Sequence, residues 1–119
     1  MMQLENLVGD YSIVGKNQNI EQSSYKGTLN LSLDENKRIN AKWIIGNQLQ
    51  FGNGFFKNAV LVINFWYQGE DSLVYKGVVF YKCLTATILD GFWSEEFGDL
   101  KFLGEERCFK IIQNDQIIN

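Results

Sequence analysis

The fold is decided by residues 25–45, which read YKGTLNLSL (25–33), DENK (34–37) and RINAKWII (38–45). In the first segment every second side chain is apolar, as in a strand with one buried and one solvated face. Its apolar face carries Tyr25, Leu29, Leu31 and Leu33. The polar segment 34–37 suits a turn, and the alternation resumes after it with Ile39, Ala41, Trp43 and Ile45. These residues therefore predict a β-hairpin.

The same alternation continues along the 119-residue chain, and no segment of a dozen residues carries an apolar stripe with the helical period. It predicts an all-β protein with eight strands, at roughly residues 7–16, 24–33, 37–46, 48–57, 59–68, 72–83, 85–94 and 100–112. Short polar connections favour sequential antiparallel neighbours. Since no proline is present to protect an open sheet edge, we expect an antiparallel up-and-down (meander) β-barrel. A two-sheet sandwich would satisfy the same alternation.

Charged residues indicate which face of the later strands points into the barrel. Lys76 and Lys82 fix the outward face of strand 72–83, and Lys101, Glu105 and Arg107 that of strand 100–112. The opposite, inward face is rich in aromatic side chains with one carboxylate, which suits a small-ligand site. The candidate ligand-binding residues are Tyr11, Tyr25, Trp43, Tyr75, Trp93 and Glu106. A solid aromatic core is the alternative, and a cavity of about 300 Å³ or more would favour the ligand site.

Glu106 is the exceptional residue of this inward face. A carboxylate among apolar side chains must find hydrogen-bond donors or a cation, raise its pKa, or lie in water at the barrel mouth. Two interpretations follow: Glu106 orients a polar group of a ligand, or it lies at the rim beside Lys110.

Four short segments resemble the calycin class of β-barrels, and its avidin-like members in particular. They are Gly9-Asp10-Tyr11, Tyr75-Lys76-Gly77, Asp90-Gly91-Phe92-Trp93 and the segment from Leu103 to Phe109. The resemblance implies an eight-stranded barrel with Tyr75, Trp93 and Glu106 in its pocket. Avidins hold the ureido group of biotin with an Asn and a Ser on and just after the first strand. This chain has Ile13 and Asn17 at that spacing, so biotin binding is not implied.

The strands at 59–68, 72–83 and 85–94 are apolar on their outward face as well as on their inward face. Sheets that are covered on both sides have this pattern, whereas a monomeric barrel alternates cleanly. We therefore expect an interface formed by Val60, Val62, Trp66, Val78, Phe80, Ile88 and Phe92. A homodimer is the expected assembly, with a tetramer as the alternative. The other interpretation is that the segment from Ile111 to Ile118 folds over part of this surface.

Composition excludes several functional classes. The chain has no histidine, which removes imidazole catalysis and most metal sites, and we expect no metal site and no cofactor. With 11 basic and 14 acidic residues and no basic cluster, it is not expected to bind nucleic acid. No apolar run approaches the roughly 20 residues of a membrane span, and no secretory signal is evident, so we expect a cytoplasmic protein without membrane contact. In that compartment Cys83 and Cys108 are expected to be reduced.

These observations favour a single domain over residues 1–119, with a short flexible tail at about 113–119. The expected function is non-catalytic binding of a small apolar or aromatic molecule by a self-associating barrel. The alternative is a protein-interaction or inhibitor domain whose barrel core is filled and whose outer apolar wall meets a partner. An enzyme that transfers protons between Glu106 and Tyr75 or Tyr81 is the third possibility.

Overall fold

The computed structural model describes residues 2–112 and shows eight β-strands with one short 3₁₀ helix among them. The 3₁₀ helix spans Leu4–Leu7. The strands are β1 (Gly9–Lys16), β2 (Ser24–Leu33), β3 (Ile39–Ile45), β4 (Gln48–Lys57), β5 (Val60–Gln68), β6 (Val74–Thr85), β7 (Ile88–Glu95) and β8 (Gly104–Lys110). The predicted tail at 113–119 lies outside the described residues.

The strands form a closed antiparallel meander in which each strand pairs with its neighbours in sequence and β8 pairs with β1. The closure runs from Tyr11 opposite Lys110 to Lys16 opposite Glu105. The predicted up-and-down barrel is confirmed, and the sandwich alternative is wrong. Closure pairs β1 with β8, so neither strand is left as an open edge in a chain that has no proline to protect one.

Several predicted strand boundaries need correction: β3, β6 and β7 begin at Ile39, Val74 and Ile88 instead of residues 37, 72 and 85. The last strand begins at Gly104 instead of residue 100, because the Asp99 side chain accepts the Lys101 backbone N–H at 2.9 Å and the backbone turns there. The first strand begins at Gly9, since residues 4–7 form the 3₁₀ helix. The Asn6 side chain supports that helix by accepting the Gln3 backbone N–H at 2.8 Å.

The barrel has a lower end, where the 3₁₀ helix and the β2–β3, β4–β5 and β6–β7 turns lie, and an upper end with the other connections. Its interior is a packed core towards the lower end. Leu7 of the 3₁₀ helix is fully buried there, and its carbonyl accepts the hydroxyl of Tyr11 at 2.8 Å. The other side chains exposed by no more than 1% are Ile13, Leu29, Leu31, Ile39, Leu61, Ile63, Tyr81, Leu89 and Cys108. The lower half is therefore closed and filled.

The outer surface of β5, β6 and β7 is largely apolar, as the alternation indicates, with Asn64, Lys76, Lys82 and Asp90 among the apolar side chains. Trp66, Val78 and Phe92 are exposed, and Val60, Val62, Phe80 and Ile88 are half-buried. The rings of Phe80 and Phe92 stack on this surface with centroids 5.2 Å apart. The surface continues onto β4, where Phe51 and Phe55 are also exposed.

Residues 2–112 contain one helix, the four-residue 3₁₀ helix, and it is too short to cross a membrane. Cys83 and Cys108 are both buried free thiols on the inward face. They belong to β6 and β8, which are separated by β7.

Candidate functional site

A cavity of about 200 Å³ occupies the upper half of the barrel, above the packed core. Every strand except β1 contributes to its wall, and Asn17 follows directly after β1. The lining residues are Asn17, Tyr25, Trp43, Ile45, Gln48, Gln50, Phe65, Tyr67, Val79, Tyr81, Trp93, Glu95 and Glu106. The interior of the barrel is therefore filled in its lower half and open in its upper half.

Four of the six candidate residues from the sequence meet around this cavity: Tyr25, Trp43, Trp93 and Glu106. Tyr11 does not, because its ring belongs to the packed core and its hydroxyl bonds the Leu7 carbonyl below. Tyr75 does not either.

Tyr75 points inward at the very top of β6, where the wall ends. Its hydroxyl donates to Asp71 in the β5–β6 loop, and its ring stacks on Tyr67 with centroids 5.4 Å apart. Tyr75 thus lies above the cavity and contacts it only through the ring of Tyr67.

Aromatic rings line the cavity in a continuous edge-to-face series. Centroids are 6.5 Å apart for Tyr25 and Trp93, 6.1 Å for Trp93 and Phe65, and 6.1 Å for Phe65 and Trp43. This is the preferred geometry of aromatic pairs, and each such contact contributes about 0.5–1.5 kcal/mol beyond its buried area. We call these four residues the aromatic cage.

Glycines on neighbouring strands give the cage its shape. Gly104 lies opposite Trp93 and Gly77 opposite Phe65 in the strand register. A Cβ atom at Gly104 would lie 2.0 Å from Trp93 Cε2, and one at Gly77 would lie 2.3 Å from Phe65 Cζ. The two rings can therefore lie flat against the barrel wall, which keeps the centre of the upper half open.

Glu106 lies at the floor of the cavity and is 5% exposed. Its Oε1 accepts the Tyr25 hydroxyl at 2.7 Å. Its Oε2 accepts the Tyr81 hydroxyl, and also the Trp43 indole N–H at 3.2 Å. Tyr25 in turn accepts the Trp93 indole N–H at 2.9 Å. One carboxylate thus organises the donors of two tyrosines and two tryptophans, as expected for a buried polar group.

The rim interpretation of Glu106 is wrong. The ammonium group of Lys110 lies at the lower end of the barrel, where it donates to the Asn6 carbonyl at 2.7 Å. Burial raises the pKa of Glu106, and the hydrogen bonds from Tyr81, Tyr25 and Trp43 oppose that rise.

The phenols and thiols around the site are held in their protonated forms. Burial raises the pKa of Tyr25 and of Tyr81 well above the usual value, and the nearby Glu106 adds to both shifts. Burial also raises the pKa of Cys83 to about 11 and that of Cys108 further. Around neutral pH these groups are therefore protonated and not poised as nucleophiles or bases; Tyr25, Tyr81 and Cys108 donate hydrogen bonds to Glu106.

The mouth of the cavity is polar. Gln48 and Gln50 face inward from β4, and the Tyr67 hydroxyl donates to Glu95 Oε1. The Gln18 side chain fixes this side of the barrel, because its Oε1 accepts the Glu95 backbone N–H at 2.9 Å. Its Nε2 reaches across the β7–β8 loop to the carbonyl of Phe102 at 2.9 Å.

Sequence reasoning missed several of these residues. Gln48 and Gln50 alternate with Leu49 and Phe51, and a rule that places polar residues outside puts the glutamines on the wrong face. The available signal was the two-residue connection at 46–47, which pairs Gln48 with Ile45 and Gln50 with Trp43, both inward residues of β3. Nothing in the local pattern around Gln18 indicates its hydrogen bonds to residues about 80 positions away.

We expect Glu106 to make the protein less stable as the pH rises. An acid whose pKa is higher in the folded state favours folding most when it is protonated. The contribution of Glu106 to the free energy of unfolding is therefore lost as the pH rises from its ordinary pKa, near 4.5, through its raised pKa in the folded protein. The free energy of unfolding of the wild type, minus that of Glu106→Gln, should therefore fall between pH 4 and pH 8 in chemical denaturation. A difference that stays constant or rises would contradict the raised pKa. Tyr25, Tyr81 and both thiols do not titrate in this range.

The comparisons with known proteins agree with the barrel fold. The sequence matches no protein-family model and no curated protein. Among solved structures, a redesigned β-barrel has a TM-score of 0.71 and 10% sequence identity, covering 92% of this chain and 95% of that one. The redesigned β-barrel mFAP1, bound to DFHBI, has a TM-score of 0.70 and 12% identity over 90% and 97% of the two chains.

A natural protein of similar structure belongs to the DUF3598 family, of unknown function, and comes from Nostoc punctiforme. Its TM-score is 0.54 at 11% identity. The match covers 93% of this chain and 50% of that protein. At such identities the likeness concerns the fold alone, and by fold this chain is a closed eight-stranded antiparallel barrel.

Proposed function

We propose that this barrel is a non-catalytic binding module that holds one small molecule in the upper half of its interior. The observation that carries the proposal is the cavity of about 200 Å³ enclosed by the aromatic cage above a filled core. Binding sites are typically concave and aromatic, with a few placed polar groups, and Glu106 with its donors provides such groups here.

The size of the cavity limits the ligand. A cavity of about 150 Å³ accommodates benzene, and pockets for drug-sized molecules begin at about 300 Å³. At about 200 Å³, the cavity suits a molecule with a single ring or a compact aliphatic group. The cavity is smaller than the roughly 300 Å³ that we expected from the sequence for a ligand site, so the proposal is limited to a ligand of this smaller size.

The state of the polar groups supports binding over catalysis. The third hypothesis, proton transfer between Glu106 and a tyrosine, has one suitable contact, because Tyr81 donates to Glu106. The pKa of Tyr81 is raised well above 10, however, which opposes loss of its proton. Tyr75, the other tyrosine of that hypothesis, donates to Asp71 outside the cavity.

The neighbour mFAP1, bound to DFHBI, supports the proposal by analogy, because a barrel of similar fold and length accommodates a ligand. As part of the same proposal, we retain a relationship to the calycin or avidin-like barrels. We also retain a cytoplasmic location and function without a cofactor. The alternative, a protein-interaction domain with a filled barrel, agrees with the lower half of the interior but not with the cavity in the upper half.

Titration with a library of one-ring and compact aliphatic molecules tests the proposal. Trp43 and Trp93 line the cavity, so a ligand should change the intrinsic tryptophan fluorescence in a saturable manner. It should also raise the melting temperature with increasing ligand concentration, by linkage. A library that produces neither response would contradict the binding function.

We also propose that two copies associate through the outer surface of β5, β6 and β7. The exposed side chains Trp66, Val78 and Phe92 and the stacked ring of Phe80 support this proposal. A stable interface buries about 800 Å² on each partner.

The double variant Val78→Lys with Phe92→Lys should convert a dimer to a monomer in light scattering, because each lysine would have to be buried. Ser12→Lys with Thr28→Lys, on the exposed face of β1 and β2, is the control. A wild-type protein that is already monomeric would overturn this proposal.

A further inference from the structure

The cavity contains two carboxyl groups and, among the described residues, no basic side chain. Its two ionisable carboxyl groups are Glu95 and Glu106, and no lysine or arginine is among the residues that line it. Among residues 2–112, the two ion pairs within 4.0 Å are Lys37 with Glu5 and Arg107 with Asp90, both on the outer surface. A buried carboxyl group without a cation is costly, so a positively charged ligand would compensate for the burial of Glu106.

The direction of the hydrogen bonds gives a second, independent constraint. The floor donors are used within the site: Trp93 donates to Tyr25, Tyr25 and Tyr81 donate to Glu106, and Trp43 divides its N–H between Tyr81 and Glu106. At the mouth, the hydroxyl of Tyr67 is used by Glu95.

With these donors in use, the hydrogen-bonding capacity that remains at the floor and at Tyr67 is that of oxygen lone pairs, which accept hydrogen bonds. Among the mouth amides, Asn17 directs its NH₂ group to Ser23 and Gln50 directs its own to Gln48 Oε1, so the Gln48 NH₂ group is left as a donor at the mouth. The cavity floor therefore offers acceptors and ring faces, and it suits a ligand that brings its own N–H groups or its own positive charge.

The ring faces of the aromatic cage are the third feature that favours a positively charged ligand. Trp43, Phe65, Trp93 and Tyr25 surround the same small volume, and a cation within about 6 Å of an aromatic face gains about 0.5–2 kcal/mol. Quaternary ammonium groups in other proteins are bound by such cages of rings.

We propose that the cavity binds a small organic ammonium ion, with its charged nitrogen inside the aromatic cage and facing Glu106. The proposal rests on the proposed binding function and specifies the class of ligand. A compact ammonium ion matches the size of the cavity, its two carboxyl groups and the acceptors at its floor.

Pairs of molecules that differ only in charge test the proposal. Choline and 3,3-dimethylbutan-1-ol have the same shape, as do benzylammonium and, approximately, benzyl alcohol. In calorimetric titrations at pH 7, each cation should bind at least about tenfold more tightly than its neutral partner. If a neutral partner binds as tightly as its cation or more tightly, the ammonium proposal is wrong while the binding function stands. If no molecule of either pair binds, the ammonium proposal is overturned, and the broader library decides the binding function.

Charge-removing variants locate the effect. Glu106→Gln should weaken cation binding by about tenfold and leave the neutral partners unaffected within about twofold. Glu105→Gln is the matched control, because it removes the same charge one residue away on the outer face and should leave both affinities unchanged.

A second pair of variants keeps the test informative if Glu106→Gln does not fold. Glu95→Gln at the mouth should weaken cation binding, and Glu96→Gln, its exposed neighbour, should not. Equal losses in Glu106→Gln and Glu105→Gln, or in Glu95→Gln and Glu96→Gln, would mean that the overall charge attracts the cation and would overturn the site.

Discussion

Ile63→Ala should lower the free energy of unfolding by about 3–4 kcal/mol, whereas Ile45→Ala should lower it by about 1 kcal/mol. Both residues point into the barrel, but Ile63 is fully buried in the packed core and Ile45 lines the open cavity. Removing three carbon atoms from Ile63 leaves a new void in a filled region. The same change at Ile45 enlarges a space that already exists, and the side chain loses fewer contacts.

Urea denaturation of the two variants beside the wild type measures this difference. Stabilities of single domains are about 5–15 kcal/mol, so Ile63→Ala can approach the limit of folding. Ile63→Val, with an expected loss of about 1 kcal/mol, replaces it in that case and is compared with Ile45→Val. Equal losses at the two positions would contradict a barrel that is filled below and open above.

Val79→Phe should abolish ligand binding, or weaken it by about a hundredfold or more, without loss of the fold. Val79 is 2% exposed, lines the cavity and lies between Ile63 and Trp93 in the strand register. A phenyl ring at this position has the cavity as the nearest free space. It would occupy the volume that the ligand needs, and the additional contacts would offset the strain of the larger side chain.

Val78→Phe is the matched control for this change. Val78 precedes Val79 on β6 and is exposed on the outer face, so the same substitution there leaves the interior unchanged. Circular dichroism checks that both variants are folded, and titration with a ligand of the wild type measures their affinities. Undiminished binding by folded Val79→Phe would place the ligand elsewhere on the protein.

Approximate strand positions and most side-chain directions were predictable because a strand repeats every two residues. Once Lys76 and Lys82 are placed outside, the inward direction of Val79 and Tyr81 follows, and the structure confirms it. Pairing followed from the short connections, and closure from the need to protect two edges.

The level of a side chain along the barrel axis was not predictable in the same way. Tyr11, Tyr25 and Tyr75 all point inward, yet one lies in the core, one in the cavity and one at the rim. Their heights depend on the stagger between neighbouring strands, and alternation within one strand carries no information about stagger. For the same reason Glu106 could be assigned to the interior but not to the centre of a hydrogen-bond network.

The indole N–H signals of ¹⁵N-labelled protein provide the most direct test of a ligand cavity in the upper half of the barrel. The chain has three tryptophans, of which Trp43 and Trp93 line the cavity and Trp66 lies on the outer wall. Titration with a ligand identified by fluorescence should shift the signals of Trp43 and Trp93 together, with one saturation curve, and leave that of Trp66 in place. A shift of Trp66 alone, or saturation without any movement of Trp43 and Trp93, would contradict binding inside the barrel.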